Sequence, residues 1–158
     1  MVNSLMEKDL VHNLKKIMGK KLTVTKSKER RIKIETIPEN ILEVATAIKK
    51  LGFDQVMANG GTDYPDKNLF KLDYHIISVN TKKLRRTVLQ LTTHISKDNP
   101  SIHTLSNIFP SASYHEQETH ENLGIMFEGH PRMERLLLPE DWDDIPPLLK
   151  EFKLPGRW

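Results

Sequence analysis

Residues 127 to 142 constrain the fold more than any other stretch, because glycine, proline and charged residues interrupt them throughout. Helices and strands in globular proteins gain most of their stability by burying an apolar face. The segment from Phe127 to Trp142 has too few apolar positions to build such a face. We therefore expect it to be an arm that lies on another surface.

The remaining sequence has the size and composition of one ordinary domain. The chain has 158 residues, and a domain of this size buries about 68–70% of its unfolded surface. No apolar stretch approaches the roughly 20 residues that cross a bilayer, and the N-terminus has no apolar signal region. These features predict a soluble, cytoplasmic protein. With no cysteine, the chain cannot hold a disulfide or a thiolate-ligated zinc or iron–sulfur centre.

Charge is distributed unevenly along the chain. Residues 1–35 carry ten Lys and Arg against four Asp and Glu, whereas residues 111–151 carry three against ten. The basic N-terminal half and residues 82–86 suggest one alternative function, an independent module that binds nucleic acid or an anionic lipid surface. Because residues 1–35 contain no aromatic side chain that could stack on a base, we favour a solvated charged face for these basic residues.

The N-terminal half shows alternating helix and strand patterns. A capping box at Ser4–Glu7 and a stop at Gly19 predict a helix over residues 5–18. A second capping box, Thr36 to Glu39, precedes an apolar stripe that ends at Gly52 and predicts a second helix. Strands are predicted at residues 22–25, 32–35, 53–58, 70–76 and 84–95, the first two as a hairpin, with a loop at 60–66. For residues 84–95 a helix is the alternative, because the segment starts with a charged run at 82–86.

This order of elements predicts an α+β fold, a mostly antiparallel sheet with helices on one face. After Pro100 we expect a helical turn over residues 101–108 and a polar helix over 112–122 closed by Gly124. The chain is thus divided into an α+β domain (1–100), short polar helices (101–124) and a C-terminal arm (125–158). In the isolated chain the arm is expected to be mobile.

The polar helix contains titratable side chains but no catalytic arrangement. His115 and His120 are five residues apart and point to different sides of a helix, which argues against a zinc hydrolase. Glu116 and His120 are spaced to pair across one turn. Glu118 and Glu121 share a face, so we expect cationic side chains of a partner protein to face them. Their replacement by alanine is expected to release the chain from a complex without changing its melting temperature.

Residues in the arm suggest contacts with another protein. His130 precedes Pro131, which predicts a tight turn, with the alternative that the imidazole reaches a partner's functional site. Trp142, Phe152 and Trp158 are large apolar residues in charged or proline-rich surroundings. Such side chains are typical of interface anchors.

The C-terminal third also carries a recognisable signature. It comprises Glu116-x-Glu118-x-x-Glu121-x-x-Gly124-Ile125-x-Phe127-Glu128-Gly129-His130-Pro131 and then Arg135-Leu136-Leu137-Leu138-Pro139-Glu140-Asp141-Trp142. Upstream landmarks are Gly61-x-Asp63-Tyr64, Tyr74-His75 and Pro110-Ser111-Ala112. This pattern resembles the family of the C subunit of NADH-quinone oxidoreductase, which is respiratory complex I. Tyr114, Gln117, His120 and Leu123 depart from the usual family residues and are closer in character to relatives in archaeal complex I-like dehydrogenases and energy-converting hydrogenases.

The resemblance implies a function in an assembly. It implies a non-redox structural subunit of the peripheral arm of a membrane-associated, ion-translocating oxidoreductase, with no cofactor of its own and no activity in isolation. The implied partners are the large catalytic subunit and neighbouring iron–sulfur subunits, and membrane contact on the cytoplasmic side is indirect. The resemblance leaves open the electron donor (NADH, deazaflavin or ferredoxin), the acceptor (quinone, phenazine or protons) and the coupling ion. The implied partner-interface residues are Glu116, Glu118, Glu121, Gly124, Phe127, Gly129, His130, Pro131, Arg135, Leu138, Pro139 and Trp142.

Overall fold

A five-stranded sheet forms the centre of the computed structural model, which describes the backbone of residues 2–154 and their side chains apart from residues 2–8 and 25–28. The strands of this sheet lie in the order β1-β2-β5-β4-β3, and only β2 and β5 are parallel. Its strands are β1 (Leu22–Lys28), β2 (Arg31–Thr36), β3 (Gln55–Tyr64), β4 (Leu69–Ile77) and β5 (Val88–Ser96). The predicted α+β fold with a mostly antiparallel sheet is confirmed.

Three helices and a second small sheet complete the described fold. The helices are α1 (Val2–Met18), α2 (Ile41–Lys50) and α3 (Ala112–Leu123), and the small sheet pairs β6 (Ser101–His103) with β7 (Met126–Glu128) in parallel. Apolar side chains from all three helices and from one face of the large sheet belong to a single buried cluster. The opposite face of the sheet carries polar residues, including Lys71, Asp73 and Gln90. The helices therefore cover one face, as predicted.

The first helix and hairpin follow the sequence patterns. Helix α1 ends at Met18, where Gly19 takes a left-handed φ of 54°. Strands β1 and β2 are longer than predicted, so the turn between them is shorter. The side chains of the Ser4–Glu7 capping box, and Trp158, lie outside the described residues.

The predicted capping box before α2 is wrong, although its apolar stripe is right. Thr36 belongs to β2, and its hydroxyl donates a hydrogen bond to the carbonyl of Lys21 at 2.7 Å. A single 3-10 turn, Pro38–Asn40, leads into the helix without a side-chain cap. The stripe side chains Ile41, Val44, Ala45 and Ile48 are fully buried.

Strand β3 corrects the predicted loop at residues 60–66. The strand continues through Gly60 and Gly61 to Tyr64 because each residue there has a partner on β4. Only Pro65–Lys67 forms a turn. Strand β4 alternates as predicted, with Phe70, Leu72, Tyr74 and Ile76 buried.

Two further boundaries differ from the predictions. Strand β5 begins at Val88, and the preceding residues from Thr81 form turns. The predicted helical turn over residues 101–108 begins instead as strand β6, because β7 lies beside it. This pairing joins the second and third predicted parts of the chain.

Candidate functional site

Helix α3 packs unusually close to strand β3. A Cβ atom added to Gly61 would lie 2.2 Å from Cδ1 of Leu123, so a larger residue at position 61 would force the Leu123 side chain to shift. The Thr119 hydroxyl donates to the Asn59 side-chain oxygen at 2.5 Å. The helix ends at Gly124, whose φ of 76° lets its N–H bond to the His120 carbonyl at 2.7 Å. These contacts fix the polar helix against the sheet.

The Glu116 carboxylate is completely buried at the centre of a hydrogen-bond network. Its Oε1 atom accepts from the Tyr74 hydroxyl at 2.9 Å and from the Leu105 N–H at 2.8 Å. Its Oε2 atom accepts from the Thr104 hydroxyl. These donors come from β4 and from the segment after β6, so one side chain links three parts of the fold.

Burial dominates the electrostatics of this network. It raises the pKa of the Glu116 carboxyl above its ordinary value, although the hydrogen bonds to that carboxylate act in the opposite direction. Burial and the neighbouring Glu116 also raise the pKa of the Tyr74 phenol well above its ordinary value. The phenol therefore stays protonated and serves as a donor to the carboxylate.

The His130 imidazole touches the same network. Its Nδ1 atom accepts the Arg132 N–H at 3.1 Å, and its Nε2 atom lies 3.1 Å from the Ser113 hydroxyl oxygen. Nε2 lies 3.2 Å from the Ser113 carbonyl oxygen and 3.9 Å from Glu116 Oε2. The His130 and Glu116 side chains are both fully buried at this contact. The predicted turn at His130 does form, since its N–H bonds to the Phe127 carbonyl.

The Glu121 carboxylate binds the backbone of the arm. Its Oε1 atom accepts from the N–H groups of Leu136, Leu137 and Leu138 at 3.2, 3.1 and 2.6 Å. Its Oε2 atom accepts from Leu137 N–H at 2.9 Å. Successive backbone amides that converge in this way form a concave anion site, so Glu121 anchors the middle of the arm to α3.

A second buried carboxylate holds the far end of the arm. The Asp63 side chain accepts the Lys150 N–H at 3.0 Å and pairs with Lys97 Nζ at 3.0 Å. Lys97 also contacts Glu151 at 3.3 Å. Although burial alone would lower it, these two carboxylates raise the pKa of the Lys97 ammonium, which therefore stays charged.

Contacts within the arm fix its turns. The Arg135 guanidinium donates to the carbonyl oxygens of Pro139, Glu140 and Trp142 at 2.7–2.9 Å. The Trp142 and Phe152 rings pack with centroids 5.8 Å apart. The expectation that the arm needs another surface to acquire a path is thus corrected, whereas its mobility in the isolated chain stays a prediction. Polar contacts with α3 and β3 give it a path within this chain.

Several predicted contacts of the polar helix are wrong. His120 Nδ1 lies 2.9 Å from the Ile125 carbonyl and does not pair with Glu116. Glu116 and Glu121 are buried inside this chain, so neither faces partner cations, and replacing Glu121 is expected to alter the chain's own stability. Glu118 is exposed, and its role at an interface stays a prediction.

The remaining interface candidates lie at or near the junction of α3 and the arm. Phe127 is buried, Gly124, His130, Leu138 and Trp142 are half-buried, and Gly129, Pro131, Arg135 and Pro139 are exposed. Tyr74, Thr104, Asp63 and Lys97 were not predicted as site residues. The landmarks at Asp63 and Tyr74 were visible in the sequence, but no sequence pattern pairs them with residues more than 40 positions away.

The outer side of the arm combines exposed leucines with carboxylates. Leu136 and Leu137 are 42% and 64% exposed. Residues 136–149 contain four acidic residues and no Lys or Arg. None of these four carboxylates belongs to a salt bridge with another described residue. This surface has the apolar and charged groups of a protein interface without an occupant in the described fold.

Metal-binding clusters and membrane-spanning helices are absent among the described residues. Among the side chains that the structure describes, no group of three or more His, Asp or Glu is arranged to hold a metal ion. None of the described helices is both long enough and apolar enough to cross a bilayer. Among the basic residues proposed for nucleic acid or lipid, Lys21 forms an ion pair with Glu43 at 2.5 Å, and binding by this surface stays a prediction.

Comparison with known proteins gives consistent matches over most of the chain. Residues 34–157 match the family described as "Respiratory-chain NADH dehydrogenase, 30 Kd subunit". The C subunit of NADH-quinone oxidoreductase from Roseiflexus sp. is 37% identical over 113 residues, which cover 69% of this chain and 63% of that protein. The C subunit of F(420)H(2) dehydrogenase from Methanosarcina mazei is 32% identical over 129 residues, covering 80% and 79% of the two chains.

A solved structure shows the same fold. A chain in the structure of the membrane-bound sulfane sulfur reductase, described as an archaeal respiratory membrane complex, superposes with a TM-score of 0.83 and 22% identity. The match covers 95% of this chain and 87% of that chain. The chain spans about half to two thirds of the length of several curated relatives.

Proposed function

This chain belongs to the family of the 30 Kd subunit of respiratory-chain NADH dehydrogenase, and we propose that it is a non-redox structural subunit of a complex I-like, membrane-associated, ion-translocating oxidoreductase. In this role it lies in the peripheral arm on the cytoplasmic side of the membrane. Its C-terminal arm clamps the large catalytic subunit, and iron–sulfur subunits lie nearby. The chain contacts the membrane only through the complex.

The proposal rests on the difference between the inner and outer sides of the C-terminal arm. Its inner side is bound to the fold by Glu121 and Asp63, which are both buried. Its outer side presents leucines and four carboxylates that form no salt bridge with another described residue. A surface whose path is set by hydrogen bonds within the chain loses less conformational entropy on binding, which favours association.

Electron transfer is assigned to the other subunits. The sequence has no cysteine, so it supplies no thiolate ligand for an iron–sulfur cluster. Relatives carry names that specify different electron donors, NADH in one and F(420)H(2) in another. A subunit that both assemblies share fits a structural role better than a donor-specific one.

Native co-purification tests the proposal. The full chain with a C-terminal tag is produced from its own chromosomal position, the membranes are solubilised gently, and the tagged complex is analysed by mass spectrometry. We expect near-stoichiometric recovery of one large catalytic subunit and of iron–sulfur subunits. Recovery of the chain alone, from membranes that contain the assembled oxidoreductase, would refute the proposal.

A further inference from the structure

We propose that Leu136 and Leu137 form a docking ridge that inserts into an apolar cleft rimmed by Arg or Lys side chains on a protein partner, and that Glu121 is the residue that positions this ridge. The inference rests on the proposed function, because it gives the chemistry of the partner surface that the arm contacts. The two residues are called the leucine ridge below.

Glu121 controls the ridge through the backbone. One carboxylate accepts hydrogen bonds from three consecutive N–H groups, those of residues 136–138. The chain must curve around this carboxylate, so the two leucines of the ridge lie on the outer side, 42% and 64% exposed. Leu138 is more buried and lines a cavity of about 210 Å³ under the arm, next to His120 and Trp142.

This arrangement is suited to presenting apolar side chains in water. Bonds to backbone amides do not depend on the side chains of the arm, so the leucines are free to contact another molecule. Charge-assisted hydrogen bonds are also stronger than neutral ones and are protected here by burial. Glu121 can therefore hold the ridge in place before a partner binds.

The charges around the ridge specify the partner's chemistry. Glu140, Asp141, Asp143 and Asp144 follow the ridge, and no cation occurs between residues 136 and 149. The Arg135 guanidinium is engaged by three backbone carbonyl oxygens, and Arg132 pairs with Glu134 at 2.7 Å. The excess negative charge disfavours an anionic membrane surface or the same face of a second copy. A protein cleft with a basic rim complements both the leucines and the carboxylates.

Photo-crosslinking in the assembled complex identifies the occupant. Benzoylphenylalanine replaces Leu137 in the tagged full chain, and a matched substitution at exposed Met57 on the sheet serves as the control. We expect the probe at position 137 to crosslink to an apolar segment of another subunit that has Lys or Arg neighbours. The probe at position 57 should crosslink to a different segment or to none. A crosslink to lipid, to a second copy of this chain, or to an acidic segment would overturn the inference.

Substitutions test the role of each residue. Leu136→Ser with Leu137→Ser should lower the fraction retained on the complex after a salt wash by about tenfold, the effect of one to two interface anchors, with circular dichroism unchanged. Met57→Ser with Val79→Ser is the matched control for loss of exposed apolar side chains, and Glu39→Gln, at an exposed position before α2, is the control for loss of a carboxylate. Both controls should be retained like the unmodified chain.

Amide exchange provides a separate test of the positioning role of Glu121. Glu121→Gln should lower retention and speed amide exchange at residues 136–138 in the free chain, whereas Leu137→Ser lowers retention without speeding that exchange. Slow exchange at 136–138 in Glu121→Gln would refute the positioning role. Absence of the unmodified chain from the complex contradicts the proposed function, whereas full retention of the double serine variant contradicts only the ridge.

Discussion

Replacing Glu116 with alanine should destabilise the protein strongly, although the residue has no role in chemistry. The substitution leaves three buried donors without an acceptor, the Tyr74 hydroxyl, the Thr104 hydroxyl and the Leu105 N–H. Each unsatisfied buried donor costs about 1–3 kcal/mol. Relief from burying the carboxylate offsets part of this cost, so we expect a net loss of about 3–5 kcal/mol, as is typical when one member of a buried charged network is removed.

Glutamine at the same position should be tolerated much better. The oxygen that accepts from Tyr74 and Leu105 is preserved, and the new NH₂ group faces the Thr104 hydroxyl, which can rotate to accept it and donate to Ser106 Oγ, 2.7 Å away. We expect Glu116→Gln to cost about 1 kcal/mol. The comparison separates the shape of the side chain from its charge.

Urea unfolding followed by circular dichroism measures these differences. Glu118→Ala, on the exposed side of the same helix, is the control and should stay within about 0.5 kcal/mol of the unmodified protein. If Glu116→Ala unfolds at the same urea concentration as this control, the buried network does not stabilise the fold and the reasoning fails.

Three further predictions concern the close approach of α3, the anchor of the arm and the dependence on pH. Gly61→Ala should cost about 1–3 kcal/mol by overpacking against Leu123, whereas Gly60→Ala, where an added Cβ meets nothing within 4 Å, should change the urea midpoint little. Glu121→Ala should lower the melting temperature measured by calorimetry more than Glu118→Ala does; equal temperatures would contradict the anchor. Burial alone would raise the pKa of Asp73, but hydrogen bonds from Lys71, Thr92 and Gln90 hold it below its ordinary value, so its stabilisation is present above pH 3.8 and is lost as the pH falls through the folded pKa. Asp73→Asn should reduce this loss of stability at low pH, as measured by urea unfolding at several pH values. An unchanged loss at low pH would contradict the prediction.

The Glu116 carboxyl should change the pH dependence of stability in the direction opposite to that of Asp73. Its folded pKa is raised by burial, so the folded state binds more protons than the unfolded state between the ordinary and the raised pKa. Stability should therefore fall as the pH rises from about the ordinary value of 4.5 through the folded pKa. Urea unfolding of Glu116→Gln across this pH range should show no such decline in stability. An identical decline in both proteins would mean that another group causes it.

The parts of the fold that depend on local patterns were predictable from the sequence. The apolar stripe of α2 and the strict alternation in β4 each determine a buried face within a few residues. The paired glycines at 60 and 61 misled the prediction, since glycine is common both in turns and where another element packs closely. Leu123, whose close packing explains the glycine at position 61, lies more than 60 residues away in the chain.

The site was less predictable because its contacts are between distant residues and involve the backbone. A carboxylate pattern such as Glu116, Glu118 and Glu121 shows the spacing of charges but not which of them is buried. Glu121 binds main-chain amides, and every residue except proline supplies those, so no pattern in the arm reveals the contact. Parallel pairing of β6 with β7 was missed because three-residue strands carry almost no alternation.

Amide exchange in the acidic part of the arm tests the central claim most directly. In the structure the N–H groups of residues 140, 141, 143 and 144 have no backbone or side-chain acceptor among the described residues. They should exchange rapidly in the free chain and at least about tenfold more slowly in the purified membrane complex. Equal exchange of these amides in the free chain and in the complex, with the chain bound in full stoichiometry, would contradict the account that the arm is the surface that holds this subunit in its assembly.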